Sequence, residues 1–155
     1  MQGRMKSHQL TERQIESLLL EENVGRLATI NPNGFPYVTP VHFVYFKRKI
    51  YIHGLIKGQK ISNIKNDKKV CFEVDKMEKF LLSELPCDVN TEYSSVIILG
   101  EAKILSNEDE KIEALKKIVK KYTPSLVGGE FPKKILKATS VIEVYVIECT
   151  GKFYK

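Results

Sequence analysis

The sequence predicts a mainly β protein, a small antiparallel β-barrel with peripheral helices. About six β-rich runs follow one another along the 155 residues, and short turns join most of them. Such spacing is typical of all-β domains that are built from hairpins. Helical periodicity is confined to a few segments between and around these runs. The length suits one ordinary domain. We therefore expect a single domain over residues 1–155, with residues 1–9 as a flexible N-terminus.

The first regular element is predicted to be a helix. Thr11 is followed three residues later by Gln14, which is the spacing of a capping box, and the apolar periodicity ends near Asn23. The run RLATI at 26–30 then has the composition of a strand. We expect the helix to lie across the sheet or the barrel end and to have a structural role.

Two hairpins are predicted to follow. The turn at 31–34, Asn-Pro-Asn-Gly, allows a positive φ at its glycine and joins the first strand to a second one at 37–46. Pro40 cannot donate to a ladder inside that second strand, which indicates an edge position or a bulge. The polar turn 47–49 then leads into a third strand that ends at Gly54.

A pattern that suits phosphate binding follows the third strand. After the strand end come Lys57, Gly58 and a helix around Lys60. Free amides and the helix dipole attract anions at such a helix start, and the lysines add positive charge. The same residues also fit an ordinary linker and a solvated amphipathic helix, because neither a Walker nor a Rossmann pattern is present.

The remaining strands are predicted in the second half of the chain. A fourth strand at 70–74 is followed by an irregular excursion at 76–92 and by a strongly β-forming stretch at 91–105. Gly100 within that stretch indicates a bend or a bulge. A period of two near the C-terminus predicts a last strand that ends at 150–152.

A charged helix is predicted between the last two strands. It starts at Asn107, has three acidic residues in its first turn, and is stopped by Pro124. Its lysines between 116 and 121 lie towards the C-terminal end, where they suit the helix dipole. The charge run therefore predicts a solvated helix face.

Composition favours a globular protein of the cytoplasm. The formal charge of +6 comes from scattered lysines, and no basic run is interleaved with aromatic residues as in single-strand binders, so we do not expect nucleic acid as a partner. The three cysteines are widely spaced, which indicates free thiols in a reducing compartment and no zinc site. No apolar run suits a membrane span or a secretion signal.

Several motifs together resemble a known family. GRLAT, the Asn-Gly turn before PYVTPVHFVY, IYIHG and a G-x-K helix leading to VCFEVD are similar to the pyridoxamine 5'-phosphate oxidase-like, flavin-binding split β-barrels. YSSVIILGEAKIL and the terminal TGK agree with the nitroimidazole-resistance reductase branch, and the resemblance covers roughly residues 10 to 153. It implies a six-stranded antiparallel Greek-key barrel and a homodimer with FMN at the subunit interface.

The resemblance also implies a set of cofactor-binding residues. They belong to the first strand, the end of the third strand, the basic loop and helix, and the last two strands. They are Arg26, Leu27, Ala28, Thr29, Ile52, His53, Lys57, Lys60, Ser94, Ser95, Tyr145 and Lys152. Among them Lys60 and Arg26, with Lys57 close by, are expected to hold the phosphate. Tyr145 and Lys152 are expected to approach the flavin of the partner. His53 is the expected catalytic residue, since a histidine can donate a proton near neutral pH.

The implied function is that of an FMN-dependent oxidoreductase that reduces nitroaromatic or other small electrophilic substrates. FAD is an alternative cofactor. Two other functions stay open: a non-catalytic flavin-binding or storage protein, and a haem-binding barrel with His53 as an axial ligand. No metal site is expected. Oxidation of pyridoxamine phosphate is not expected either, because the oxidase's basic substrate contacts near the C-terminus have no clear match.

Overall fold

A computed structural model describes residues 7–155 of the chain, so residues 1–6 of the expected flexible N-terminus lie outside the described part. Seven strands form one sheet within the described residues. The strands are β1 (Gly25–Ile30), β2 (Pro36–Val41), β3 (Phe43–Phe46), β4 (Lys49–Leu55), β5 (Lys69–Leu81), β6 (Asn90–Ile104) and β7 (Thr139–Tyr154). The helices with described bounds are α1 (Glu12–Glu21), α2 (Gln59–Asn66), α3 (Glu108–Tyr122) and α4 (Lys133–Ala138).

The predicted fold class is confirmed: the protein is mainly β, with an antiparallel split-barrel sheet and flanking helices. The strand order is β2-β1-β5-β6-β7-β4-β3, and all neighbours are antiparallel. The two edge strands, β2 and β3, are consecutive in the chain and separated only by His42. The sheet is therefore curled until its edges meet, although no ladder closes it.

The number of strands differs from the expected six because the predicted strand at 37–46 is two strands. It divides at His42, and its halves pair with different neighbours, β2 with β1 and β3 with β4. Pro40 lies on β2, which has β1 as its single neighbour, so the predicted edge position is confirmed. An edge strand can accept proline because one side of it needs no ladder donor.

Both predicted hairpin turns are present. Gly34 has φ +83, and the Asn31 amide donates to the Phe35 carbonyl oxygen at 2.9 Å. In the β3–β4 turn, Lys47 and Arg48 have φ values of 49 and 60. Two successive positive φ values are typical of the two-residue turns that match the twist of a hairpin.

β5 is longer than predicted, whereas β6 has the predicted length and begins one residue earlier. The stretch at 76–92, expected to be irregular, continues both strands, and only 82–89 leaves the ladder. Alternating lysine and glutamate hid the β pattern here, whereas in the structure they pair across the strands, as Lys79 and Glu92 do at 3.5 Å. The bulge predicted at Gly100 is confirmed by the register shift between Leu99 and Gly100.

Two apolar clusters stabilise the domain. One fills the barrel interior, where the rings of Phe43 and Phe72 meet edge to face at 4.8 Å between centroids. The other lies outside the barrel, between the β3-β4-β7 wall and the helices α3 and α4. The outer surface of β2, β1, β5 and β6 does not belong to that second cluster.

The predicted caps at the starts of α1 and α3 are present, but one lysine of the predicted solvated face of α3 is not solvated. The capping box of Thr11 and Gln14 is formed, and Asn107 caps α3 through the Glu110 amide. The prediction of a solvated charged face on α3 is wrong for Lys121. Its Nζ donates to the carbonyl oxygens of Leu19 at 3.3 Å and Glu22 at 2.6 Å and lies 4.0 Å from the Phe43 ring centroid. Lys121 thus caps the C-terminal end of α1 from another helix.

No helix in the part of the chain that is described has the length and apolar character that a membrane crossing requires.

The first prediction concerns the pH dependence of folding. Burial lowers the pKa of Lys121 to about 8 from an ordinary 10.5. Between these pH values the unfolded chain binds more protons at this residue than the folded chain, so the contribution of Lys121 to the free energy of unfolding rises with pH. We expect wild type to gain stability relative to Lys121→Met between pH 8 and 10.5 in urea titrations. Lys120→Met, at an exposed position, is the control and should show a flat difference.

Candidate functional site

The strongest candidate site lies where β4 ends and α2 begins. Gly58 is the N-cap of α2 with φ +143, a conformation that favours glycine, and no side chain among residues 7–155 caps this helix start. The first helical bond runs from the Ser62 amide to the Gly58 carbonyl oxygen at 3.1 Å. The amides of the first turn have no partner within the helix, so they can bind an anion.

Lys60 brings a positive charge back to the end of β4. A Cβ at Gly54 would lie 3.8 Å from both Cε and Nζ of Lys60, so the lysine side chain extends from the helix over the glycine. The strand end itself is fixed by Ser140, whose hydroxyl donates to the Leu55 carbonyl oxygen at 2.8 Å. Lys57 is exposed in the intervening loop. Lys60 and the start of α2 thus lie at one position, and Lys57 belongs to the loop that leads to it.

A fully buried amide holds α2 against the first hairpin. Asn63 is 0% exposed, and its Nδ2 donates to Thr29 Oγ1 and Asn31 Oδ1, both at 2.9 Å. Its Oδ1 accepts from Gln59 Nε2 at 2.8 Å, and Thr29, also 0% exposed, donates to the Tyr37 carbonyl oxygen at 3.4 Å. The network fixes the helix start relative to β1. The sequence signal for it was a polar residue within the apolar stripe of a short helix.

His53 lies on β4 beside this helix start. Its ring is largely exposed, yet partial loss of hydration lowers its pKa below the ordinary value, and the positive charges of His42 and Lys60 act in the same direction. The His42 ring is tilted against Tyr122 at 4.8 Å between centroids. At neutral pH His53 is therefore neutral, able both to donate and to accept a hydrogen bond. The neighbouring Ile52 is buried in the barrel and offers no side chain to a ligand.

The predicted residues of β1 point in two directions. Leu27 and Thr29 face the interior and are fully buried, while Arg26 and Ala28 face outwards. The Arg26 guanidinium donates to Glu73 at 2.9 Å and also to Asp75. These hydrogen bonds raise the Arg26 pKa and place two carboxylates against its charge. Arg26 is thus already neutralised within the chain.

Three predicted residues lie at the other end of the barrel. Ser95 pairs with Lys152 on β7, and Ser94 pairs with Phe153, whereas His53 pairs with Val141 near the start of β7. At a rise of ~3.3 Å per residue, the stretch of β7 from 141 to 152 spans about 35 Å. One copy of the chain therefore does not bring Ser94, Ser95 and Lys152 to Lys60.

Tyr145 occupies a third position, about a third of the way along β7. It is exposed and pairs with Lys49 on β4 and Glu101 on β6. It belongs to neither of the two ends of the barrel.

An apolar row crosses the outer face of the sheet between the two ends. Val38 pairs with Ala28, Ala28 with Cys71, and Cys71 with Leu99, so the four side chains lie on one face. Val38 is 56% and Leu99 47% exposed, and Ile97 extends the row on β6. Adjacent exposed apolar side chains on one sheet face are typical of an interaction surface.

Comparisons with known proteins agree on the fold. The family model for pyridoxamine 5'-phosphate oxidase matches residues 11–153. No curated protein matches the sequence. A candidate 5-nitroimidazole antibiotic resistance protein from Bacteroides thetaiotaomicron superposes with a TM-score of 0.81 at 24% identity, over 94% of this chain and 86% of that one.

Two further solved structures are similar over most of the chain. The flavocytochrome Anf3 from Azotobacter vinelandii has a TM-score of 0.84 at 23% identity, with coverage of 94% of this chain and 68% of that one. An FAD and haem binding protein from Mycobacterium smegmatis has a TM-score of 0.87 at 16% identity, with coverage of 96% and 74%. At these identities the likeness establishes the fold alone.

The second prediction concerns the buried network. Asn63→Leu leaves Thr29 and Asn31 without their shared donor, and a buried polar group without a partner costs about 1–3 kcal/mol. We expect the free energy of unfolding to fall by about 2–3 kcal/mol in denaturant titrations. Ser62→Ala, at the exposed neighbouring position, should change it by less than about 0.5 kcal/mol. An equal loss in both variants would contradict a specific role of the Asn63 amide.

Proposed function

The chain belongs to the pyridoxamine 5'-phosphate oxidase family, and from this premise we propose that it binds FMN and reduces nitroaromatic or other small electrophilic substrates. The start of α2 carries the proposal. There the uncapped amides, Lys57 and Lys60 provide a compact positive site for a phosphate monoester at the end of a barrel strand. FAD and haem, which both occur in the name of the structurally similar Mycobacterium smegmatis protein, are the alternative cofactors.

In this proposal the phosphate is held by Lys60, by Lys57 and by the amides of the first turn of α2. Charge-assisted bonds of this kind are stronger than neutral ones. Arg26 is a weaker candidate for the phosphate, since Glu73 and Asp75 already bind its guanidinium. Its place as a ligand along the flavin remains a prediction. The Asn63 network supports the proposal because a site fixed before the ligand arrives loses less entropy on binding.

The partner in this proposal is a second copy of the chain, packed through the apolar row that includes Val38 and Leu99. A two-fold axis between the two faces, running across the strands, would place the α2 end of one copy beside the opposite end of the other. Ser94, Ser95 and Lys152 of the second copy would then complete the site that Lys60 and His53 begin. In this arrangement, predicted residues that lie about 35 Å apart along β7 in one copy contact the same ligand, because they come from two copies.

When bound, the flavin supplies the redox chemistry, and the chain supplies binding, orientation and proton delivery. Lys60 and Lys57 set the position of the ligand. His53 lies on the strand that leads to the phosphate site, and its imidazole is the group that can carry a proton to a reduced substrate oxygen. Its lowered pKa makes the neutral form the resting state at neutral pH.

The third prediction tests the cofactor. Purified protein should show the visible bands of an oxidised flavin, and the released ligand should have the mass of FMN; a Soret band would instead indicate haem. Lys60→Gln should weaken FMN binding about 10- to 100-fold through loss of a charge-assisted phosphate contact. Riboflavin, which has no phosphate, should bind wild type and variant equally.

Lys120→Gln is the matched control, because it removes the same charge from the exposed face of α3, outside the α2 end. It should leave the FMN affinity within about threefold of wild type. A chain that stays colourless after incubation with FMN, or equal losses for FMN and riboflavin, would contradict the proposed site.

The fourth prediction separates an enzyme from a flavin-storage protein. With a nicotinamide donor and a nitroaromatic acceptor, His53→Gln should lower kcat about 10²-fold at nearly unchanged FMN affinity.

Because the His53 pKa lies below its ordinary value, the protonated donor forms only at mildly acidic pH. The wild-type rate should therefore rise as pH falls below about 6.5, and the variant should lack this rise. Lys116→Gln, on the exposed face of α3, is the control and should leave kcat and its pH dependence unchanged. Flavin that resists reduction in wild type would favour storage.

A further inference from the structure

The β5–β6 hairpin extends beyond the barrel as an unsupported ribbon. Towards the hairpin tip, pairing of β5 with β1 stops at Glu73, and pairing of β6 with β7 stops at Tyr93. Residues 79–92, here called the ribbon, pair only with each other in the part of the chain that the structure describes. Two-stranded hairpins are marginally stable in water without a third strand or a packed face.

The ribbon exposes large apolar side chains. Phe80 is 60%, Leu82 85% and Leu85 58% exposed. Lone exposed apolar residues are ordinary on protein surfaces, but several within six positions on an unsupported hairpin are typical of a surface that is covered by a partner. The ribbon therefore has an apolar tip that residues 7–155 of its own chain leave exposed.

Charge indicates what covers the tip. The segment 82–89 carries Glu84 and Asp88 and no lysine or arginine. At the opposite end of the barrel, the segment 55–69 carries five lysines against one aspartate, and it begins with Leu55 and Ile56, which are 75% and 47% exposed. An acidic apolar tip and a basic apolar surface are complementary.

We propose that the ribbon of one copy packs against the α2 end of a second copy, at residues 54–69. The proposal rests on the dimer proposed above, in which the far end of one barrel lies beside the α2 end of the other. Leu82 and Leu85 then contact the surface that begins at Leu55. The acidic tip faces those lysines of the α2 end that do not contact the phosphate. The ribbon becomes a wall of the partner's phosphate site and makes dimerisation and ligand binding mutually dependent.

The fifth prediction tests this contact in the full chain without added flavin. Leu85 is replaced by the photo-cross-linker p-benzoylphenylalanine, and isotope-labelled and unlabelled copies are mixed before irradiation. We expect mixed cross-links whose second peptide lies within residues 54–69. The same cross-linker at Leu126, which is 63% exposed beside α3, should give none. Cross-links within one copy only, or mixed cross-links to another surface, overturn the proposal.

A second measurement uses substitutions that a single folded copy should tolerate. Leu82→Asp with Leu85→Asp should raise the dimer dissociation constant at least about tenfold in sedimentation, whereas Leu126→Asp should leave it unchanged. Circular dichroism and the melting temperature of the dilute, monomeric protein should not move. The outcome that would overturn the proposal is a wild-type protein that binds lipid vesicles and a double variant that loses this binding while its dimer stays intact. The ribbon would then be assigned to a lipid surface.

The two proposals fail separately. A dimer with the expected cross-link but no affinity for FMN leaves the ribbon contact standing and removes the cofactor. A monomer that binds FMN tightly at every concentration overturns the ribbon contact and leaves the cofactor in place.

Discussion

The fold depends on one junction, at which a single residue joins the two edges of the sheet. β2 ends at Val41 and β3 begins at Phe43, yet these strands lie at opposite ends of the strand order. The sheet must therefore curl completely, which brings Phe43 against Phe72 in the interior. Gly25 lies in the same place, where a Cβ would come within 2.2 Å of the Phe72 ring. Packing at this junction therefore requires a glycine at position 25 beside the two rings of Phe43 and Phe72.

Helix α3 stabilises this β2–β3 junction from outside the barrel, through its last residue, Tyr122. The Tyr122 hydroxyl accepts from the Phe43 amide at 2.8 Å and lies 2.8 Å from the carbonyl oxygens of Phe43 and Asn23. Phe43, the first residue of the edge strand β3, thereby has its backbone groups bound by a side chain, which hinders pairing with another chain at this end of the strand. Because β3 and β4 form a tight hairpin, fixing the β2–β3 junction also fixes β4, which carries His53 and Gly54. The position of the candidate site therefore depends on how the sheet curls.

Sequence patterns predict local elements well here and long-range partners poorly. The capping box at Thr11, the positive φ at Gly34 and the bulge at Gly100 each depend on a few neighbouring residues, and all three are confirmed. The division at His42 depends on which strands flank its two halves, and no local pattern contains that information. Similarly, Arg26 is bound by Glu73 and Asp75, which are 47 and 49 positions away. Resemblance to the family supplied the split-barrel fold, but it implied six strands and did not predict the division at His42.

The predicted ligands fall into two groups that a single copy of the chain does not bring together. Basic composition alone identifies no ligand, because Arg26, Lys121 and several other cations already have partners inside the chain. What distinguishes Lys60 is its position, over Gly54 at an uncapped helix start. The residues expected at the flavin ring lie about 35 Å of strand length away, which is farther than a mononucleotide extends. If both sets of residues contact one ligand, they must come from two chains, and the apolar face between them is where a second chain would have to lie.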